Sequence, residues 1–163
     1  MLEIVNKAPC GDVLKESGEY VPFKFQLSRT DNGSHFYWRT GDFENTLLEI
    51  EINSKDGKIT GGLLLLPGNV SKNFPILTGL DNITNGTPVV SITNWPNNHY
   101  IDEVGEIQIF SQSSDLLILI SSKWQATNCI STDGIIFGLS ENGFLIWILA
   151  KGLSKDQLNQ ICC

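Results

Sequence analysis

Short apolar runs, four to eight residues long, recur between clusters of Gly, Asn, Asp and Pro from residue 20 to residue 150. This pattern constrains the fold more than any other feature, because runs of this length are typical of strands. In the clearest run, Leu48, Ile50 and Ile52 alternate with polar residues. Alternation at period two predicts a strand with one buried face and one face in water.

Asp-Gly and Asn-Gly dipeptides join some of these runs into hairpins, since both favour tight turns. They separate two pairs of predicted strands, 46–54 from 58–66 and 135–139 from 144–150. Further strands are predicted over 20–27, 35–39, 89–93, 106–110 and 116–122. Three runs are nearly continuous in apolar character, which predicts that both strand faces are covered; these are 63–66, 116–120 and 144–149.

The C-terminus carries the clearest helix signals. Ser154 with Gln157 fits a capping box, and Leu153 with Leu158 fits a hydrophobic staple. They predict a short helix that ends near residue 162, with Leu158 and Ile161 as its buried stripe. The sequence also allows a helical turn over 12–16 and a strand over 73–80 within the long connection 67–88.

A chain of 163 residues matches one domain in length, and no repeat or linker interrupts it. We therefore expect a single domain over 1–163 that is mainly β. Its antiparallel strands should form a sandwich-like or strongly curved sheet, with one short C-terminal helix packed on it.

The composition is acidic, with 11 Lys and Arg against 18 Asp and Glu and a net charge of −7. The cations are scattered singly along the chain. Such a surface repels phosphate, so nucleic acid is excluded as an expected partner, and it suits a basic protein. No apolar stretch is long enough to span a bilayer.

The four cysteines, Cys10, Cys129, Cys162 and Cys163, follow no C-x-x-C pattern, and no signal peptide is recognisable. We expect a reducing, cytoplasmic location and assign the terminal cysteine pair no role. In that setting we expect Asn-x-Ser/Thr sequences, such as the one at Asn32, to lie in ordinary polar loops and to carry no glycans.

The common catalytic signatures are absent from the sequence. His35 and His99 have no metal-ligand spacing with other side chains, and there is no phosphate loop or serine-nucleophile motif. We therefore expect no metal, no cofactor and no catalytic activity. Glu49 and Glu51 lie about 7 Å apart on one strand face, a separation compatible with glycosidase pairs, although a wet strand face explains them more simply.

A denser group of carboxylates, Asp102, Glu103 and Glu106, follows Trp95 and Tyr100 in a predicted loop. Residues 73–122 contain no Lys or Arg, so this charge has no compensating cation nearby in the sequence. A solvated acidic loop is one interpretation of this cluster and an exposed partner-binding face is the other; we adopt the binding face as the hypothesis. The candidate binding residues are Trp95, Tyr100, Asp102, Glu103, Glu106, Glu49 and Glu51.

The four tryptophans suggest different environments. Trp147 lies in an apolar strand and should be core, and Trp38 and Trp124 are interpreted as strand residues that face the core. Trp95 is followed by Pro96 in a loop, where it either plugs the end of the sheet or is presented to a partner.

Several segments resemble the small acidic immunity proteins of bacterial polymorphic and contact-dependent growth inhibition toxins. They are residues 47–52, 57–61, 95–96, 138–143 and 153–154. The resemblance implies a cytoplasmic protein that neutralises one cognate toxin, often a nuclease, by covering its active site. A nuclease cleft is positive, so an acidic inhibitor fits it.

Two other classes remain open. In a ligand- or carbohydrate-binding β domain, Trp95, Tyr100 and Trp38 would stack on a sugar. In a carboxylate-pair enzyme, one carboxylate with a raised pKa would lie in a cleft.

Overall fold

The computed structural model of the chain describes residues 1–18, 20–27 and 33–162. The Asn-x-Ser site at Asn32 and Cys163 of the terminal cysteine pair lie outside these residues.

The described residues form fifteen strands and one helix. In chain order these are β1 (Ile4–Ala8), β2 (Leu14–Glu16), β3 (Phe23–Gln26), β4 (His35–Gly41), β5 (Thr46–Asn53), β6 (Ile59–Pro67), β7 (Val70–Ser71), β8 (Ile83–Asn85), β9 (Thr87–Val90), β10 (Tyr100–Val104), β11 (Gln108–Gln112), β12 (Asp115–Leu119), β13 (Asn128–Thr132), β14 (Ile135–Leu139), β15 (Leu145–Ala150) and α1 (Lys155–Cys162). The expected fold class, mainly β with one short C-terminal helix, is confirmed.

The strands form two large sheets and one small one. The six-stranded sheet has the order β10-β4-β5-β6-β3-β2, the seven-stranded sheet has the order β7-β11-β12-β15-β14-β13-β8, and β1 pairs with β9. Most neighbouring strands are antiparallel as expected, but β4–β10, β7–β11 and β8–β13 are parallel. Parallel partners need long crossovers, so no local turn signal predicts them.

The two large sheets pack face to face around one buried core. Phe25 of β3 and Phe137 of β14 meet edge to face across the sandwich, with ring centroids 6.1 Å apart. Ile50 of β5 and Ile118 of β12 belong to the same core. The alternation in β5 therefore produces one buried and one outward face, as predicted, because its isoleucines face the opposite sheet and its glutamates face outward.

The seven-stranded sheet is also covered on its other face. Trp147 and Leu117 are buried there, and Phe74 and Leu77 pack over them. This confirms the prediction that β12 and β15 are covered on both faces. The prediction of a strand over 73–80 is wrong, because this irregular segment covers the sheet with side chains instead of pairing with a strand. The prediction for 63–66 also fails, since Leu63 and Leu65 point to the outer face of the six-stranded sheet and are only half-buried.

Helix α1 forms as its signals predict. Ser154 Oγ accepts a hydrogen bond from Gln157 N at 3.1 Å, and Gln157 Oε1 accepts one from Ser154 N at 2.9 Å. Ile161 is buried, while Leu158 is half-buried against the core. Gln157 Nε2 also donates to Lys15 O at 3.1 Å, which ties the helix to β2.

Two segments predicted to be irregular or helical are strands. Residues 12–16 contain β2, which pairs with β3, and the predicted loop over 95–106 contains β10, which pairs with β4. Tertiary pairing overrides weak local propensity in both cases. The other predicted strands lie within three residues of their expected bounds.

Candidate functional site

Four of the candidate binding residues lie on the outer face of the six-stranded sheet. Tyr100 and Asp102 come from β10, and Glu49 and Glu51 come from β5. Strand β4 lies between them, and its Arg39 stands beside Asp102 on one side and beside Glu49 on the other. The structure therefore brings together residues that are about fifty positions apart in the chain.

The charge of Asp102 is compensated across the sheet. Arg39 Nε donates to Asp102 Oδ1 at 2.7 Å, and Arg39 Nη2 donates to Oδ2 at 2.8 Å. The guanidinium carbon also lies 4.6 Å from the Tyr100 ring centroid, and Tyr37 stacks on the same ring at 4.8 Å. The expectation that this charge has no compensating cation is therefore wrong for Asp102, because the parallel pairing of β10 with β4 places Arg39 beside it.

Glu49 and Glu51 occupy different environments. Burial raises the pKa of Glu49, with Arg39 acting in the opposite direction and the Glu51 charge adding to the rise. Glu51 accepts a hydrogen bond from Thr60 Oγ1 at 2.9 Å and lies 3.6 Å from His35 Nε2. A hollow of about 80 Å³ beside this pair is lined by Glu51 and not by Glu49. Packing on the sheet surface therefore explains the raised pKa of Glu49, and the hollow gives Glu49 no cleft of the kind that a catalytic carboxylate pair needs.

Trp95 packs against the end of the core. Its ring stacks on Phe36 with centroids 5.2 Å apart and planes 9° apart, and its Nε1 donates to His99 O at 3.0 Å. His99 Nδ1 lies 3.0 Å from His35 O, which fixes the same corner. The sequence left open whether Trp95 closes the end of the sheet or is presented to a partner. This geometry matches the first interpretation.

Glu103 and Glu106 lie away from the outer face. Successive strand residues point to opposite sides, so Glu103 turns toward the space between the sheets. There its Oε1 lies 2.6 Å from the amino nitrogen of Met1. Glu103 and Glu106 line a groove of about 580 Å³ together with Val104, Lys123 and Trp124. One wall of the groove is the edge of β10, and the other is the segment after β12.

Trp124 is the functional candidate that the sequence analysis missed. It was expected to face the core from a strand, but it lies outside the strands and is 54% exposed. Trp124 and Ile76, which is 96% exposed, also line a second groove of about 170 Å³. Val104 of β10, which also lines the first groove, is 80% exposed. The polar context of Trp124, between Ser121-Ser122-Lys123 and Gln125, was the available signal.

More carboxylates lie near this end of the six-stranded sheet. Gly105 N donates to Gly41 O at 3.0 Å, so the loop that starts at Asp42 lies beside Glu106. Asp42 accepts hydrogen bonds from three backbone N–H groups of its own loop, which holds its pKa well below the usual range. Glu44 in that loop is exposed. The groove is therefore lined by two carboxylates, Glu103 and Glu106, and by two positive groups, Lys123 and the Met1 amino group, and further carboxylates lie beside it.

Among residues 1–18, 20–27 and 33–162, no group of three or more His, Cys, Asp or Glu side chains is placed to hold a metal ion. The described cysteines are not paired in disulfides. Burial raises the pKa of Cys129 to about 11, so this thiol stays protonated at neutral pH. No helix in the described part of the chain is long and apolar enough to cross a bilayer.

No protein-family model matches the chain, and no curated protein matches its sequence. The geometry of the groove and of the sheet face is therefore the basis for a functional proposal.

Proposed function

We propose that this protein acts by binding another protein, as an immunity protein that neutralises a cognate toxin. The observation that carries the proposal is the groove at the β10 edge, where exposed Trp124 and Val104 stand beside Glu103 and Glu106. Large exposed apolar side chains next to polar ones are typical of interaction surfaces. We place the binding face at this groove.

Trp124 is the expected anchor of the interface. Tryptophan is enriched among the few residues that carry most of the binding free energy in protein complexes. Trp124 lines the groove at the β10 edge and also the second groove with exposed Ile76, so a partner that covers it would also bury part of Ile76. This differs from the sequence-based choice of Trp95, whose ring already packs on Phe36.

The charge around the groove favours a basic partner. Glu103 and Glu106 line it together with the Met1 amino group and Lys123, and Asp42 and Glu44 beside it leave an excess of negative charge, on a chain with a net charge of −7. Such a field speeds association with a positive surface, which is what a nuclease presents to its phosphate substrate. We propose a toxin nuclease as the partner and the cytoplasm as the place of inhibition, with no catalysis by this chain.

The alternative of a carbohydrate-binding domain has less support. Trp38 is 2% exposed, and Trp95 stacks on Phe36. Of the three aromatic residues expected to stack on a sugar, Tyr100 alone keeps a surface position, and its ring contacts Tyr37 and Arg39.

The test asks first whether the neighbouring reading frame encodes a toxic domain, and then whether this protein protects cells that express that domain; a neighbouring frame that encodes no toxin would count against the proposal. Trp124→Ala should lower toxin affinity at least thirtyfold, which corresponds to about 2 kcal/mol at a central anchor. Its control is Tyr20→Ala, which removes an exposed aromatic ring (88%) near the opposite edge of the sheet. Glu106→Lys should slow association and reduce its salt dependence. Its control is Glu16→Lys, which reverses an exposed charge on β2.

The proposal fails if the wild-type protein neither protects the cells nor binds the purified toxic domain. The binding face does not lie at the groove if folded Trp124→Ala and Glu106→Lys variants protect the cells as well as their control variants do. The charge reversals avoid Asp102, because its replacement would break the ion pair with Arg39.

A further inference from the structure

Strand β10 differs from the other edge strands of the two large sheets. Strands β2, β7 and β8 end their sheets with two or three residues, whereas β10 has five. Within the described ranges no strand pairs with the outer side of β10. Proteins usually keep exposed edges short because an open edge recruits further strands.

The backbone of β10 presents unused hydrogen-bonding groups on that side. Tyr37 N donates to His99 O, and Gly105 N donates to Gly41 O, so the odd-numbered residues from 99 to 105 bond to β4. In a parallel pair the intervening residues then direct their N–H and C=O groups away from the partner strand. The N–H of Tyr100 is bonded to Asn98 Oδ1. The amides of Asp102 and Val104 therefore point to the open edge.

The groove lies directly beside this edge. A strand added to β10 would place alternate side chains on the two faces of the sheet. Those on the inner face would enter the groove of about 580 Å³, near Glu103, Glu106 and Trp124. Those on the outer face would lie against exposed Val104. Glu103, Glu106 and the Trp124 ring attract cations at the inner positions, while the Met1 amino group and Lys123 in the same lining offset part of that attraction. Asp42 and Glu44 beside the groove leave a surplus of negative charge, so the inner positions suit lysine or arginine.

We propose that β10 is a docking edge that takes up an extended, basic segment of the partner protein as a seventh strand of this sheet. The proposal rests on the function proposed above, since it names the way in which the toxin binds. Main-chain hydrogen bonds would supply affinity, and the groove would select the alternating cationic side chains.

A second copy of this chain is the less suitable occupant. Pairing two β10 strands would bring two Glu103 side chains toward one another, on chains that each carry a net charge of −7. Inward-pointing charges of this kind are a common defence against edge-to-edge association. A basic segment turns the same charge into an attractive contact.

The experiment is amide hydrogen exchange measured by NMR on the full chain. The probe is a synthetic peptide of alternating valine and lysine, capped at both ends, at about 1 mM, where weak binding is detected. The amides of Asp102 and Val104 should exchange fast in the free protein and at least tenfold more slowly with the peptide. The amides of Ile101 and Glu103 are the internal control, because β4 protects them already. A peptide with glutamate in place of lysine should have no effect.

Two substitutions at one position separate the backbone from the side chain. Val104→Pro removes the outward N–H without breaking the β4 ladder, because proline is tolerated on the open side of an edge strand. It should weaken peptide binding about fivefold to tenfold, as loss of one hydrogen bond predicts. Val104→Ala keeps the N–H and should weaken binding less. Circular dichroism checks that both variants are folded.

Three results would overturn the docking edge. They are slow exchange of Asp102 and Val104 in the free protein, no protection by the lysine peptide, and protection that grows with protein concentration alone, which indicates self-pairing. A toxin that binds through Trp124 without protecting these amides would refute the docking edge and leave the proposed function standing. Peptide protection in a protein that binds no toxin would support the edge and refute the function.

Discussion

Gly138 and Trp147 give the most direct test of the packing on the outer side of the seven-stranded sheet. They face each other across β14 and β15. A methyl group built on Gly138 would lie 2.2 Å from Trp147 Cε2 and 2.5 Å from Cδ2. Ordinary contact begins near 3.4 Å, so the indole would have to withdraw by about 1 Å. Trp147 is 2% exposed, which leaves it little room to move.

Gly138→Ala should therefore lower the free energy of unfolding by about 1–3 kcal/mol, the usual cost of overpacking a core. For a chain of this length that corresponds to a fall in Tm of roughly 3–10 °C. Urea denaturation, followed by circular dichroism, measures the loss. The control is Gly18→Ala, because its methyl group would meet no atom closer than 4.0 Å.

A double-mutant cycle tests the cause. Trp147→Leu empties part of the space that the indole fills, so it should be destabilising alone but should accommodate the new methyl group. The double variant should then be more stable than the sum of the two single losses predicts, by at least about 0.5–1 kcal/mol. Additive losses would refute the argument that the indole ring is what makes glycine necessary at this position.

Three further predictions concern stability. Ile161→Ala should cost about 2–4 kcal/mol and Leu158→Ala less, because Ile161 is buried and Leu158 is half-buried; equal losses in urea titrations would show that the helix docks differently. Burial raises the pKa of Glu49 in the folded state, so the charged form of Glu49 is disfavoured there. The free energy of unfolding should therefore fall as pH rises above the ordinary glutamate range. Glu49→Gln should abolish this fall, and an unchanged pH profile would contradict the argument. Backbone N–H donors lower the pKa of Asp42, so its charged form stabilises the fold above the ordinary aspartate range. This stabilisation is lost on acidification. The Asp42→Asn variant should therefore lose less stability than the wild type between neutral and acidic pH, and an equal loss would contradict the argument.

The parts of the fold predicted correctly are those with local causes. The turns at Gly57 and Gly143 both require a positive φ, 77° and 84°, which Asp-Gly and Asn-Gly sequences supply. Helix α1 is specified by its own capping residues. These signals act within a few residues, so they can be read without knowing what packs against them.

The candidate site depends on contacts that no local pattern shows. Asp102 meets Arg39 because β10 adds parallel to a strand some sixty residues earlier. Trp124 is exposed because its segment follows β12 around the end of the sheet, where it faces β10 across the groove. The sequence pattern predicts a binding role for Glu103 and Glu106, but it also suggests Trp95 as an anchor and Asp102 as a charge without a nearby cation, whereas Trp95 packs on Phe36 and Asp102 pairs with Arg39.

Glu103 links the problem of an open edge to the proposed mode of binding. An exposed strand of five residues is a hazard in any protein, because apolar strands of other chains can pair with it. The Glu103 carboxylate points inward at this edge and pairs with the Met1 amino group, and an apolar strand would remove this ion pair from water without adding a further hydrogen bond. A segment with lysine or arginine at the facing position relieves that penalty and forms an ion pair. Glu103→Leu should therefore weaken binding of the lysine peptide and increase self-association of this protein, measured by sedimentation. If the variant stays monomeric and binds the peptide unchanged, Glu103 does not control access to the edge.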